Sequence, residues 1–386
     1  MFDLLQDRQT LRQAVRRFAI AELEPLSREI DETGTVPGRA MDVLRQNGYT
    51  GLRLDETYSG ANLGFTDYCL TMEEFSRSHR VFTLLLSATS GLTPMAIQRH
   101  GSAYQRDRYL RGLAEGHLYM AFALTEPSGG SDAAAMKTSA TQADGGWVLN
   151  GRKHYINGGD VADAIMVMAV TDPQKRARGG ITAFIVDRDT PGFSVTRLET
   201  TMGSEAIKLA ELTFEDCFVP DASVVGEVGA GFNIAMSSLS EGRLEVACSC
   251  IGVADRLLEM CVTHANTRST FGKPLSTRQA IQWMVADSAV DLATARALTY
   301  ATVQRYELGE DIGTAASMCK LYCTEMVGRV ADRAVQVHGG TGLVRGFPIE
   351  RFYRDVRHYR VGEGTSEILR MLIARGLFGG GEASRS

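Results

Sequence analysis

The hydrophobic pattern of this 386-residue chain changes period twice, and that constrains its fold more than any other feature. Up to about residue 118 apolar residues recur at helical spacing. Leu4, Leu11, Val15 and Phe18 keep one stripe, and similar amphipathic pieces follow as far as GHLYM. The segments MAFAL, KTSATQA, WVLNGRKHYI, DAIMVMAV, ITAFIVD and LAELTFEDCFVP then take over, short and rich in β-branched and aromatic residues. Turn chemistry (PSGG, DGG, NGG, RGG, TPG, PDAS) separates them. Beyond GEVGAGF the helical period returns: Leu244, Ala247, Ile251, Ala254, Leu258 and Cys261 follow a 3-4-3-4-3 spacing, and Ile281, Val285, Ala289 and Leu292 repeat it one helix later. The expected fold class is α+β multidomain. Residues 1–118 form a helical domain, 119–228 a compact β-barrel or sandwich, and 229–386 a four-helix bundle whose helices are joined by short turns such as STFGKPLS. The GGGEASRS tail is expected to fray.

Charge and composition narrow the function. The net charge of −5 gives no reason to expect nucleic acid or an anionic membrane as partner. No apolar run approaches the roughly eighteen residues of a membrane span. The opening MFDLLQDRQTLRQ has acids too early for a secretory signal or transit peptide, so a cytoplasmic location is expected. The seven cysteines form no CxxC and have no histidines at ligand spacing; buried, inert thiols are the expectation, and no metal site.

The common nucleotide and hydrolase signatures are absent. No GxGxxG follows a strand and opens a helix. Gly146 to Arg152 resembles a P-loop only in spacing, and there is no HExxH or GxSxG. What remains is a set of glycine-punctuated polar loops. Ala123 to Asp132 offers hydroxyls, acids and backbone N–H groups able to approach a planar or anionic ligand, although spacing alone favours a long polar hairpin connection. Arg268 to Leu275 brings cations and an aromatic to an interhelical turn, and Val337 to Gly342 ends a helix with more glycines than a C-cap needs. Glu363 stands between two glycines in VGEGTSEILR, an unusually bare and bendable setting for a carboxylate.

Together these loops resemble the acyl-CoA dehydrogenase family of flavoenzymes. The resemblance covers nearly the whole chain and rests on LTEPSGGSD (124–132), HYINGG (154–159), FEDCFVP (214–220), GAGF (229–232), RSTFGKPL (268–275), QVHGG (336–340) and GEGTSEI (362–368), in order on an α-β-α plan. It implies two helical domains flanking a β-barrel, FAD held without a Rossmann motif, and a homotetramer built as a dimer of dimers. It also implies α,β-dehydrogenation of an acyl-CoA thioester, with an electron-transferring flavoprotein as electron acceptor. The chemistry agrees: forming C=C from CH2–CH2 needs a base for the α-proton and a hydride acceptor, which no side chain can be.

By resemblance, Leu124 and Thr125 contact the flavin, Ser131 lies against flavin or thioester, and Tyr155 covers the ring. Asn157 falls where most of the family has Ser or Thr bonding flavin N5. Arg268, Phe271, Gln336, Gly339 and Gly340 match segments that grip the FAD of a neighbouring subunit, and Thr365 and Glu367 reach the cofactor. Arg243, Gly362 and Gly364, with Ser131, are the expected substrate contacts. Glu363 aligns with the family's base. Its rivals are Glu241, Glu245 and Glu367: a solvated or paired role is expected for Glu245, whereas Glu367, one helical turn past Glu363, is not excluded by spacing. A family branch carries its base just before the arginine matching Arg243, where this chain has Gly242.

The acyl group is the least legible part. Gly362 replaces a tyrosine of several members, which suggests room for a branched, cyclic or aryl acyl chain. Members that take dicarboxylyl-CoA use an arginine where this chain has Thr83, with Arg80 one turn away, so a dicarboxylate is not the first expectation. The alternatives are an oxidase or monooxygenase on the same fold, a carrier-protein thioester as substrate, and, from another class, a non-catalytic helical scaffold.

Overall fold

The computed structural model describes residues 6–379; Leu4 and all of the GGGEASRS tail beyond Gly379 lie outside the described residues. The chain opens with helices α1 (Gln9–Phe18), α2 (Glu24–Thr33), α3 (Arg39–Gln46), α4 (Phe65–Ser76), α5 (Arg80–Ser90), α6 (Leu92–His100) and the short α7 (Ala103–Gln105) and α8 (Arg111–Ala114). Eight strands follow: β1 (Met120–Ala123), β2 (Ser139–Ala143), β3 (Gly146–Asn157), β4 (Ala164–Val170), β5 (Ile181–Asp187), β6 (Phe193–Glu199), β7 (Leu209–Pro220) and β8 (Val224–Val225). The long α9 (Gly231–Thr267) leads through a hairpin, β9 (Ser269–Thr270) and β10 (Lys273–Pro274), to α10 (Gln279–Glu307), α11 (Gly313–His338), α12 (Pro348–Tyr359) and α13 (Ser366–Leu377).

The strands form one sheet in the order β6-β7-β3-β2-β4-β5-β8, with β1 parallel to β4. Ile165, Val167, Phe184 and Val186 on one face of β4 and β5 share a core with Leu149, Ile156, Leu212 and Phe214 of β3 and β7. The opposite face, through Met166, Met168, Ala183 and Ile185, packs on Met95, Ile97, Leu110 and the start of α9 at Ile234 and Ala235. Burial on both faces explains why these two strands read as unbroken apolar runs. Among the described residues no strand pair joins β6 to β8, so the sheet covers its own core without hydrogen-bonded closure into a barrel.

The helices on either side of the sheet share a single core, in which Val15, Phe75 and Phe82 join Leu244, Ile251, Tyr300, Val327 and Phe352. Buried Glu73 fastens the two halves together. It accepts hydrogen bonds from Arg12 (2.9 Å), Arg296 (2.8 Å) and the Tyr300 hydroxyl (2.7 Å). In α9 the stripe Leu244, Ala247, Ile251, Ala254 is fully buried. In α10 the expected Ala289 is exposed and Ser288 takes the buried position instead, its hydroxyl satisfied by the Met284 carbonyl at 2.7 Å. The stretch Arg80–His100 is long and apolar enough to cross a membrane by composition, contrary to the sequence expectation; 72% of its apolar window is buried inside the protein, as a core element requires. All seven cysteines are free and buried.

Candidate active site

α12 ends at Tyr359, and the turn before α13 is where the backbone departs from the ordinary. Glu363 and Gly364 both have positive φ (56° and 100°). A left-handed conformation is natural for glycine and strained for glutamate. Thr365 then returns to extended geometry and caps α13, its hydroxyl oxygen accepting the Ile368 N–H at 3.3 Å. Three contacts hold the turn. Lys320 Nζ of α11 donates to the Gly364 carbonyl at 2.6 Å, the Ser366 hydroxyl donates to Glu325 at 2.8 Å, and Arg360 pairs with Glu325.

This turn aims the Glu363 carboxylate at α9. Oε2 is sealed from solvent and has no hydrogen-bond partner among the described residues. A Cβ at Gly242 would lie 2.6 Å from Oε2, so the bare backbone of α9 leaves the space that the carboxylate fills. Burial raises the Glu363 carboxyl above the usual carboxylate range, and Lys320, Arg243 and Arg80 oppose that rise. Arg243 donates only one long bond, to Ser317 Oγ at 3.3 Å, and its buried Nε is unpartnered.

The rival carboxylates are differently housed. Glu241 is held by Arg53 at 2.8 Å and by Arg99, and these cations lower it despite burial. Glu367 is exposed in the first turn of α13. Since that helix begins only after Glu363, the two do not share a helical face, contrary to the spacing argument. Glu245 is neither solvated nor ion-paired, which overturns that expectation: it is 5% exposed, accepts from Ser87 Oγ at 2.7 Å, and leaves Oε1 without a partner. Burial first, with the charge of Glu363 adding to it, pushes Glu245 up to about 7.

His358 takes the space expected beside Gly362. A Cβ there would lie 3.0 Å from His358 Nε2, so the missing side chain is replaced by an imidazole, not by a void. Arg80, burial and Lys320 together hold His358 well below its ordinary value, so the ring is neutral. Arg80 is also within electrostatic reach of Tyr119, whose hydroxyl abuts Gly158. The polar cluster around Glu363 therefore adjoins the Asn157–Gly158 turn of the β region.

On that side Leu124 and Thr125 leave β1 into a loop organised by Glu126. Its carboxylate accepts from the N–H groups of Lys137 (2.7 Å) and Thr138 (2.9 Å) and from the buried Lys153 Nζ (2.9 Å). Ser131 is exposed on this loop. A register shift in β3 between Lys153 and Ile156 turns Tyr155 outward: φ is +59°, the ring is 55% exposed, and it stacks on His154 at 3.9 Å. Asn157 Oδ1 is buried without a partner.

The second group of expected cofactor residues lies elsewhere. Arg268 and Phe271 belong to the β9–β10 hairpin, and Gln336, Gly339 and Gly340 to the end of α11. His264 of α9 and His338 of α11 stack at 4.4 Å and bring these two ends together. Phe271 is 97% exposed, and nothing lies within 4 Å of a Cβ built on Gly339 or Gly340.

Sequence reasoning missed Lys320, His358, Ser87 and Tyr119. Only Lys320 had a signal, as a cation on the buried stripe Ala316, Cys319, Cys323, Val327.

The family descriptions for the acyl-CoA dehydrogenase N-terminal, middle and C-terminal domains match residues 6–117, 121–217 and 229–378. The chain is 38% identical to the acryloyl-CoA reductase (NADH) of Anaerotignum propionicum, over 97% of this chain and 95% of that protein. Its fold superimposes on butyryl-CoA dehydrogenase from Megasphaera elsdenii with a TM-score of 0.93 at 34% identity, covering 98% of this chain and 100% of the other. A chain from the structural work on the electron-transferring flavoprotein of Acidaminococcus fermentans gives 0.93 at 35% identity, covering 98% and 99%. With all three domain descriptions matched in order along its length, this chain belongs to the acyl-CoA dehydrogenase family of flavoprotein oxidoreductases.

Proposed function

We propose that the protein performs α,β-dehydrogenation of an acyl-CoA thioester, with Glu363 removing the α-proton. The observation that carries this reading is the Glu363 carboxylate: unpartnered at Oε2, set against Gly242, and raised by burial while three cations hold it in reach of ionisation. A base of this kind gains strength from desolvation, while the cations beside it favour its ionised form. Bound FAD supplies the hydride acceptor that side chains lack. The residues fit a flavin: the Asn157 amide has a buried, unsatisfied oxygen, and Tyr155 presents an exposed ring at its flank. Leu124, Thr125, Ser131, Tyr155, Asn157, Thr365 and Glu367 would hold the cofactor of their own subunit. Arg268, Phe271, Gln336, Gly339 and Gly340 would hold that of a neighbour in a homotetramer. Arg243, Ser131, Gly362 and Gly364 border the thioester end of the substrate.

The similarity to a chain studied with an electron-transferring flavoprotein supports such a protein as electron acceptor. The similarity to an NADH-linked reductase supports a reversible reading of the same site, in which Glu363 returns the proton to the α-carbon. Replacement Glu363→Gln tests the assignment. The variant keeps its flavin colour, and the rate at which acyl-CoA bleaches that colour under anaerobic conditions falls roughly 10³-fold. Undiminished bleaching would refute the role of Glu363.

A further inference from the structure

Glu363 has a second buried carboxyl, Glu245, for a neighbour. Gly242 and Glu245 are three residues apart on α9, so they lie on one face about a turn apart. The bare backbone at Gly242 leaves room for Glu363 Oε2, and the Leu92 side chain closes the same space, 3.3 Å from a Cβ built on Gly242. The preceding residue, Gly91, meets Glu245 instead: a Cβ there would lie 2.7 Å from Glu245 Oε1. Both carboxyls therefore adjoin the α5–α6 junction, each against a glycine, side by side along α9. The Ser87 hydroxyl donates to Glu245 Oε2 at 2.7 Å, while Oε1 is sealed and unpartnered among the described residues.

The cations are unevenly divided between the two. Lys320, Arg243 and Arg80 act on Glu363. Arg53 favours the charged form of Glu245, but it is bonded to Glu241 at 2.8 Å. The other groups facing Glu245 are Tyr68 of α4, Cys248 and Glu241 of α9, and Glu363 itself. None of these is a cation, and the two carboxylates oppose its ionisation. Buried carboxyls that repel one another titrate as a pair. A proton shared between them rests on the member with fewer cations, Glu245, and leaves Glu363 as the carboxylate.

We propose that Glu245 is a positioning residue for the base, acting through the charge that it withholds or places one turn along α9 from the space Glu363 fills. This rests on the reading of Glu363 as the base. With Glu245 neutral, Glu363 ionises without a neighbouring anion. Once Glu245 loses its proton, the new anion raises the proton affinity of Glu363, and a stronger base takes the α-proton faster. The effect is reciprocal, because each carboxylate opposes the ionisation of the other by the same amount. Glu245 itself touches neither substrate nor flavin in this role.

Two readouts separate this role from a merely structural one. The first is the rate constant for anaerobic bleaching of the flavin-loaded enzyme on either side of neutral pH, with whichever of butyryl-, isobutyryl- and 3-phenylpropionyl-CoA reacts fastest. Wild type is expected to rise in two steps, the second at about pH 7 and roughly threefold, the share of a one-unit coupling that a half-transferred proton expresses. Glu245→Gln keeps only the first step. Ser87→Ala removes a hydroxyl that favours the charged form of Glu245, and moves the second step to higher pH. The second readout, taken without substrate, is the infrared carbonyl band of the protonated Glu245 carboxyl, identified as the band that Glu245→Gln removes. In Glu363→Gln its midpoint is expected about one pH unit lower. Absence of the band, an unshifted midpoint in Glu363→Gln, superimposable rate profiles for wild type and Glu245→Gln, or a loss equal at every pH overturns the proposal and leaves the base in place. Should Glu245→Gln not fold, as melting temperature and flavin content show, Ser87→Ala decides, and an unmoved second step overturns it. Undiminished bleaching by Glu363→Gln, or bleaching of wild type by none of the three esters, overturns the reading of the base and this role with it.

Discussion

Glu245 is the residue whose chemistry most departs from its surface-like appearance in sequence. It stands two positions beyond Arg243 on α9, yet it is buried against Ser87 and held up to about 7, from an ordinary 4.5. The folded protein therefore keeps its proton over a range in which the unfolded chain has lost it. Stability contributed by the neutral carboxyl is complete below about pH 4.5, falls as pH climbs towards 7, and levels off above. Over that interval the loss is on the order of 3 kcal/mol, at about 1.4 kcal/mol per unit. Glu245→Gln removes the titration. Its melting temperature is expected to exceed wild type by several degrees at about pH 8 and to converge with it near pH 4.5. A difference that is constant across pH would mean that Glu245 is ionised throughout. The reason this escaped the sequence is general to the site. Glu363 and Phe271 sit in turns whose neighbouring glycines leave a local mark in the sequence. Arg80, Glu245, Lys320 and His358 come from four helices, and only packing brings them together.

Among the elements, the contact between α9 and the α12–α13 turn decides whether the proposed base is aimed. Gly242 is flanked by Glu241 and Arg243, so its absent side chain looks incidental until the Glu363 carboxylate is seen occupying that space. Gly242→Ala inserts a methyl 2.6 Å from Oε2. The carboxylate is the free end of a flexible side chain and can swing away, and alanine favours a helix interior over glycine. The fold should thus tolerate the change, with melting temperature and flavin content near wild type. Alignment with the α-proton is what is lost, and kcat/KM should fall by about 10²-fold. Unchanged kcat/KM would show that Glu363 does not work from the position seen here. At this level the sequence was largely readable, since long periodic stretches announce their period: the helical stripe of α9 and the two-sided apolar strands β4 and β5 appear as their spacing predicts. The failures have local causes. Ser288 hides in a helix by bonding its own backbone, so a polar residue stood where Ala289 was expected. The short β9–β10 hairpin was read simply as a turn, because two-residue strands carry no periodic signal.

That hairpin also bears on how a complete site is assembled. Lys320, at the Glu363 turn, and His338, beside Gly339, are 18 residues apart on α11, roughly 27 Å at 1.5 Å per residue. Gly242 and His264 are 22 residues apart on α9, roughly 33 Å. Each helix therefore carries the base region at one end and the hairpin region at the other, and the stacked His264 and His338 fix the two far ends together. The hairpin loop has positive φ at both Phe271 (49°) and Gly272 (74°), a two-residue turn that suits Asn-Gly far better than Phe-Gly. The ring is 97% exposed, with the Arg278 guanidinium 5.7 Å from its centroid, and a strained, exposed aromatic of this kind suits contact with a second subunit. Phe271→Asn relieves the strain, so the variant should be at least as stable as wild type while losing flavin and activity. The decisive measurement mixes it with Glu363→Gln, each inactive alone. If the hairpin serves a neighbour, a Phe271→Asn subunit contributes a good base and receives a good hairpin from its Glu363→Gln partner. Random pairing then restores roughly a quarter of wild-type activity, because half the pairs are mixed and each mixed pair holds one intact site. Sites confined to single subunits would stay inactive at every mixing ratio.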